Sequence, residues 1–167
     1  MHILMCNDDG ILADGLRHLA SYLSQYYRIT VVAPANEQSA KSHALTTEVP
    51  LKLDACNGED ENPRLYALTG TPSDCMKFGL SYLLTDDMAD LVISGINHGF
   101  NLGSDVLYSG TVSAAMESGF YGIPGLALSV ERYSVERGDE MHPFIHELIE
   151  NCLLYTSPSP RDATLSR

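Results

Sequence analysis

The chain has 167 residues with 10 basic and 22 acidic side chains, a formal charge of −12 at pH 7. That balance excludes a broad cationic face for a nucleic-acid polymer or an anionic membrane. Hydrophobic content of 44% with 19% charged residues is globular composition, which excludes wholesale disorder and collagen-like repeats. No apolar run approaches the roughly 20 residues of a bilayer span. The opening residues Met1–Asp9 have no basic region and turn acidic early, unlike a secretory signal. The four cysteines (Cys6, Cys56, Cys75, Cys152) form no C-x-x-C pair, and the six histidines show no H-E-x-x-H spacing. Free thiols in a reducing cytoplasm are therefore expected, without a disulfide framework or a zinc site.

The chain then alternates strand and helix. An apolar run over His2–Cys6 reads as a strand and is followed by the polar Asn7-Asp8-Asp9-Gly10. Leu12, Leu16, Leu19 and Leu23 recur along one face of a helix. The β-branched stretch Arg28–Ala33 ends at Pro34, and shorter strands are expected over Glu48–Leu53 and Arg64–Leu68. Thr71-Pro72-Ser73-Asp74 is a helix start: threonine caps, proline fits the first turn, and aspartate faces the positive helix end. Cys75, Phe78, Tyr82 and Leu83 are the expected inner face of that helix. Asp90–Ser94 is a strand, Thr111–Tyr121 a helix and Gly125–Ser129 a strand. A last helix is expected over Glu136–Leu154, with Phe144, Ile145, Leu148, Ile149 and Leu153 at helical spacing. Continuous apolar strands separated by helices imply a mostly parallel sheet covered on both faces, an α/β Rossmann-like three-layer sandwich. The G-x-G-x-x-G fingerprint is missing after the first strand, so this is not the dinucleotide-binding version.

In such a fold the ligand lies beyond the carboxyl ends of the strands. Three of those ends are rich in side-chain oxygens and glycine: Asn7–Gly10, Pro34–Ser39 and Gly95–Gly103. Adjacent carboxylates at Asp8 and Asp9 repel unless a cation or protons neutralise them. Two acids, a hydroxyl and an amide oxygen suit Mg²⁺ or Mn²⁺. The competing reading is that Asp8, Asp9 and Gly10 only make the turn, with an aspartate capping the helix. In the third segment Asn97 offers a neutral carbonyl oxygen and Asn101 an amide donor to phosphate. The alternative there is a glycine-rich connection whose asparagines bond their own backbone. No ligand role is assigned to His98. Tyr108-Ser109-Gly110-Thr111 places hydroxyls and backbone N–H groups at a helix N-terminus, an anion seat that needs no lysine or arginine. Read alone, it is equally an ordinary Ser/Thr cap, and Glu117 is taken as a solvated or capping side chain.

Taken together, these segments resemble the SurE family, the survival-protein-E nucleotidases. The resemblance is carried by Asn7–Gly10, Val32-Ala33-Pro34 with Gln38-Ser39, Gly70–Cys75, Ser94–Gly103 and Tyr108–Val112, in that order, and it runs from Met1 to about Ser129. It implies a divalent-metal-dependent phosphomonoesterase that hydrolyses nucleoside 5′- and 3′-monophosphates, a cytoplasmic homo-oligomer (dimer or tetramer) in its full-length form. One Mg²⁺ or Mn²⁺ ion would be held by Asp8, Asp9, Ser39 and Asn97. Asp8 would orient or deprotonate the attacking water, and Asn101, Ser109, Gly110 and Thr111 would hold the phosphate. The chain departs from the family at Ala40, where the family carries glycine.

A second departure is the end, since family members continue well beyond residue 151. The segment Cys152–Asp162 resembles translated sequencing-adapter DNA. The expected organisation is an incomplete nucleotidase domain over 1–151 and a non-native, disordered tail over 152–167. A catalytically impaired fragment, or a metal- or nucleotide-binding module without turnover, is the alternative function.

Overall fold

The computed structural model describes residues 1–58 and 60–156. Six strands form one sheet in the order β3-β4-β2-β1-β5-β6, with β1 (His2–Cys6) and β2 (Arg28–Pro34) at its centre. Strands β4 (Arg64–Leu68), β5 (Leu91–His98) and β6 (Gly125–Val130) run parallel to their neighbours; only the short β3 (Leu53–Ala55) is antiparallel. The alternation of the central strand explains the layers. Ile3 and Met5 face one core, with Leu16, Leu19 and Leu23 of α1 (Asp14–Leu23) and Ile145 and Ile149 of α4 (Val135–Thr156). Leu4 and Cys6 face the other, with Cys75 and Met76 of α2 (Pro72–Phe78) and Ala114 of α3 (Gly110–Glu117). The expected three-layer, mostly parallel sandwich is thus present, and the carboxyl ends of β1, β2 and β5 open on one edge.

The start of α2 is as read: Thr71 caps, Pro72 occupies the first turn, and Thr71 and Asp74 exchange the two bonds of a capping box. Several details differ. Leu12 is 74% exposed because α1 begins only at Asp14, so the buried face is Leu16, Leu19 and Leu23. The strand expected over Glu48–Leu53 is instead Leu53–Ala55; Pro50, with no N–H, falls in the run that stays outside the ladder. Tyr82 is 72% exposed rather than inward. A π-type turn over Gly79–Leu83 adds residues per turn, so Leu80 and Leu84 reach the core instead. Gly79 itself sits against Leu4, where an added Cβ would come within 2.9 Å of a methyl carbon.

Strand β5 continues past Ser94, through an irregularity, to His98, and Asn97 and His98 pair with Ser129 and Val130 of β6. The helix expected over Thr111–Tyr121 divides into α3 and a tighter turn over Ser118–Tyr121. In α4, Ile145 and Ile149 are buried but Phe144 is exposed. This helix runs through Thr156, entering the segment expected to be a tail; residues 157–167 lie outside the described residues.

Candidate active site

The turn after β1 is closed by Asn7, not by the acids. The Asn7 amide donates to the Gly10 carbonyl (3.2 Å), and the Gly10 N–H donates back to the Asn7 side-chain oxygen (3.1 Å). Gly10 has a φ of +101°, a conformation that suits glycine alone. Helix α1 is preceded by Ala13 and has no side-chain cap. Gly10 thus makes the turn as the competing reading had it, but neither Asp8 nor Asp9 caps the helix.

Asp8 is buried, and the Thr111 hydroxyl donates to its Oδ1 over 2.6 Å. Gly110 makes this approach possible: a Cβ there would stand 2.8 Å from the Asp8 Cβ. Burial raises the Asp9 carboxyl above its ordinary value, and the neighbouring Asp8 charge pushes it further the same way. The His98 backbone opposes both effects through a hydrogen bond.

Asp8, Asp9, Ser39, Asn97, Asn101 and Ser109 line a single cavity of about 310 Å³. The Asn97 amide nitrogen donates to the Gly99 carbonyl (2.8 Å), so its oxygen is the atom left to offer. Ser39 Oγ donates to Glu37 (2.6 Å) and keeps lone pairs for another partner. One Asn101 N–H goes to Ser129 Oγ (2.8 Å). Ser109 caps α3, accepting from the Val112 N–H (3.1 Å), as the bland reading of that motif had it, while also standing on the cavity wall. Gly110 and Thr111 are buried behind Asp8, and the Thr111 hydroxyl is committed to that carboxylate rather than presented to the cavity. Ala40, His98, Asp105 and Tyr108 complete the wall, and of these Asp105 drew no attention in the sequence.

The donor set is two carboxylates, a hydroxyl and an amide oxygen, all hard oxygen atoms of the kind Mg²⁺ or Mn²⁺ takes. Two adjacent carboxylates on one cavity wall mark a place where a cation would relieve repulsion, so the residues fit such an ion. Among the described residues, no three His, Cys, Asp or Glu side chains cluster for a metal, so any ion here depends on the neutral oxygens of Ser39 and Asn97.

Ser39 opens a strap over residues 39–47 that is fastened from outside. The Ser42 N–H donates to the Tyr108 carbonyl (3.1 Å) and its hydroxyl to the Leu107 carbonyl (2.8 Å). Thr71 Oγ1 donates to the Ala44 carbonyl (2.7 Å), and Thr46 donates to Asp74 from both its N–H and its hydroxyl. Burial alone would raise the Asp74 carboxyl, but hydrogen bonds from Thr46 and Thr71 hold it below its ordinary value. His43 Nε2 meets Glu117 Oε2 at 2.6 Å. Glu117, expected to be solvated or capping, is instead a buried anchor on α3, because the strap brings it a partner 74 residues away.

Residues 3–165 match the family model for survival protein SurE, a span that includes most of the segment expected to be a tail. A protein named 5′-nucleotidase SurE from Thermoanaerobacter sp. (strain X514) is 48% identical over 153 residues, which are 92% of this chain and 60% of that protein. Its namesake from Caldanaerobacter subterraneus subsp. tengcongensis is 48% identical over 90% of this chain and 59% of its own length. The crystal structure of SurE protein from Aquifex aeolicus superposes with a TM-score of 0.79 at 36% identity, covering 95% of this chain and 62% of that one. The chain thus spans about 60% of the length of the curated relatives it matches. On the family match and on identity across nine-tenths of its length, the chain belongs to the SurE family.

Proposed function

We propose that the cavity is the active site of a divalent-metal-dependent phosphomonoesterase that converts nucleoside 5′- and 3′-monophosphates to nucleoside and phosphate. The supporting observation is that Asp8, Asp9, Ser39 and Asn97, from three separate strand ends, share one cavity wall with Ser109 at the N-terminus of α3. The names of the curated relatives point to the same reaction.

Asp8, Asp9, Ser39 and Asn97 hold the ion, Mg²⁺ or Mn²⁺, which when bound polarises a phosphoryl oxygen and lowers the pKa of water. As the water oxygen bonds to phosphorus and the ester P–O bond to the nucleoside breaks, Asp8 takes the water's proton and passes it on to the departing oxygen. The Asp8 Oδ1 is held by the Thr111 hydroxyl, which fixes the orientation of the carboxylate. Ser109, Asn101 and the free N–H groups at the start of α3 receive the phosphoryl oxygens, with Gly110 and Thr111 contributing backbone there. This lets a protein of charge −12 bind an anion without a cationic side chain in the seat.

We place the protein in the cytoplasm and its full-length form in a homodimer or homotetramer. Among the described residues no helix is long and apolar enough to cross a membrane. The test is phosphate release from AMP with Mn²⁺, with Mg²⁺ and with EDTA, for the chain and for Asp8→Asn. Metal-dependent release that falls about 10²–10⁴-fold in the variant is expected; equal release in EDTA removes the mechanism. A binding module without turnover is the second reading, favoured by the 60% coverage of the relatives. Phosphate and Mn²⁺ binding with no release would select it.

A further inference from the structure

Two residues on the cavity wall, Asp105 and Tyr108, have no task in holding an ion or a phosphate. They belong to the tight turn Gly103–Leu107 and the residue that ends it, one position before the α3 cap. The backbone of Tyr108 is fixed: its N–H donates to the Asp105 carbonyl (3.0 Å) and its carbonyl accepts from Ser42 (3.1 Å). The residue as a whole, however, is 64% exposed. Leu102 and Leu107 in the same segment are exposed as well. An aromatic ring held on a rigid backbone and left in water is a stacking platform.

Asp105 adds a third carboxylate to a cavity that already holds two. Beside a phosphoryl group it would only repel. Facing a vicinal diol it is well suited, since a carboxylate accepts hydrogen bonds from ribose hydroxyls. The phosphate end is fixed by Ser109, so the adjoining Tyr108 and the nearby Asp105 stand where the rest of a nucleotide must extend.

We propose that Asp105 and Tyr108 form the nucleoside subsite: the Tyr108 ring stacks on the nucleobase and the Asp105 carboxylate accepts from the ribose hydroxyls. The inference rests on reading the cavity as a nucleotide site. Stacking accepts any base, because every base has a π face, so specificity falls on the sugar rather than on the base. The hydroxyl contact separates ribonucleotides from 2′-deoxyribonucleotides.

Calorimetric titration of the whole chain with Mn²⁺ present tests this, using three probes. They are inorganic phosphate, the non-hydrolysable AMP analogue with a methylene in place of the bridging 5′ oxygen, and its 2′-deoxy counterpart. Tyr108→Ala is expected to lower the ratio of analogue affinity to phosphate affinity about tenfold, the lower end of base–aromatic stacking. Tyr108→Phe, which keeps the ring, is expected to preserve that ratio. Asp105→Ala is expected to shrink the preference for the ribo analogue about tenfold, the scale of one hydrogen bond to a charged group. If phosphate binds but neither ratio moves, the subsite is overturned and the reading of the cavity stands. If phosphate does not bind, the reading of the cavity fails and the subsite falls with it.

Discussion

The turn after β1 and the strap over residues 39–47 both deliver oxygens to one cavity, yet they are built in opposite ways. The turn is closed from within by Asn7 and Gly10, three residues apart, and its acids take no part in closing it. The strap has positive φ at Ala40 (57°) and Ser42 (53°) and is pinned by groups from the helices beyond it. The first can be disturbed only at its packing; the second can be undone from far away. Substitutions should therefore divide by mechanism.

The largest effect is expected at Gly110→Ala. The new methyl would meet Asp8 at 2.8 Å and Pro72 at 3.1 Å, so the carboxylate must shift. A displacement of about 1 Å costs on the order of 10²-fold in rate, and AMP hydrolysis should fall by that factor with the fold retained. Retained kinetics would show that Asp8 is not held to close tolerance. Glu117→Ala probes the strap instead, leaving His43 without its acid. A loss of about 1.5–3 kcal/mol is expected, the value of a hydrogen bond to a charged group, read from urea unfolding. Weaker Mn²⁺ binding should accompany it if the strap sets Ser39, and unchanged Mn²⁺ affinity would separate the strap from the ion site.

A smaller, pH-dependent effect lies away from the site. Burial lowers the His2 imidazole, with Arg28 adding to the effect, and burial also lowers His142 on α4, where His18 opposes its charge and Asp139 favours it. Tyr22 stacks on His142 at 4.8 Å between ring centroids. Each histidine accepts a proton more readily in the unfolded chain, whose value is near 6.5. Their contribution is therefore complete above about pH 6.5 and is lost as pH falls below it, by up to about 1.4 kcal/mol per pH unit for each group. Urea midpoints at pH 7.5 and 5.5 should differ accordingly, and His142→Phe should reduce the difference. Equal midpoints would contradict the assignment.

The smallest change concerns the strap's own strain. Ala40 occupies a left-handed conformation that favours glycine. Ala40→Gly should raise stability by about 0.5–1 kcal/mol, the cost of an L-side chain at positive φ offset by the greater freedom of unfolded glycine. A loss of stability would mean that the methyl contributes packing.

What was legible in the sequence follows the same division. Strands β1, β2 and β4 and the Thr71 cap are local matters of β-branched runs and turn chemistry, and they stand where the pattern put them. Asp8, Asp9, Ser39 and Asn97, grouped from the sequence as one set near three strand ends, line one cavity. Tyr82 was misplaced because periodicity assumes 3.6 residues per turn and the π-type turn breaks that count. Leu12 fits the helical spacing but precedes the helix, since spacing alone does not mark where hydrogen bonding begins. Glu117 was missed because its burial depends on His43, a partner with no sequence relation to it. Thr111 was expected to serve phosphate with its hydroxyl, and only the close approach at Gly110 reveals that it serves Asp8.

The hydroxyl that fixes Asp8 belongs to a residue 103 positions later. During synthesis the acid pair emerges almost first, but the bond that orients Asp8 waits until the chain through α3 has been made. A nascent chain therefore carries both acids long before it carries the hydroxyl that fixes one of them.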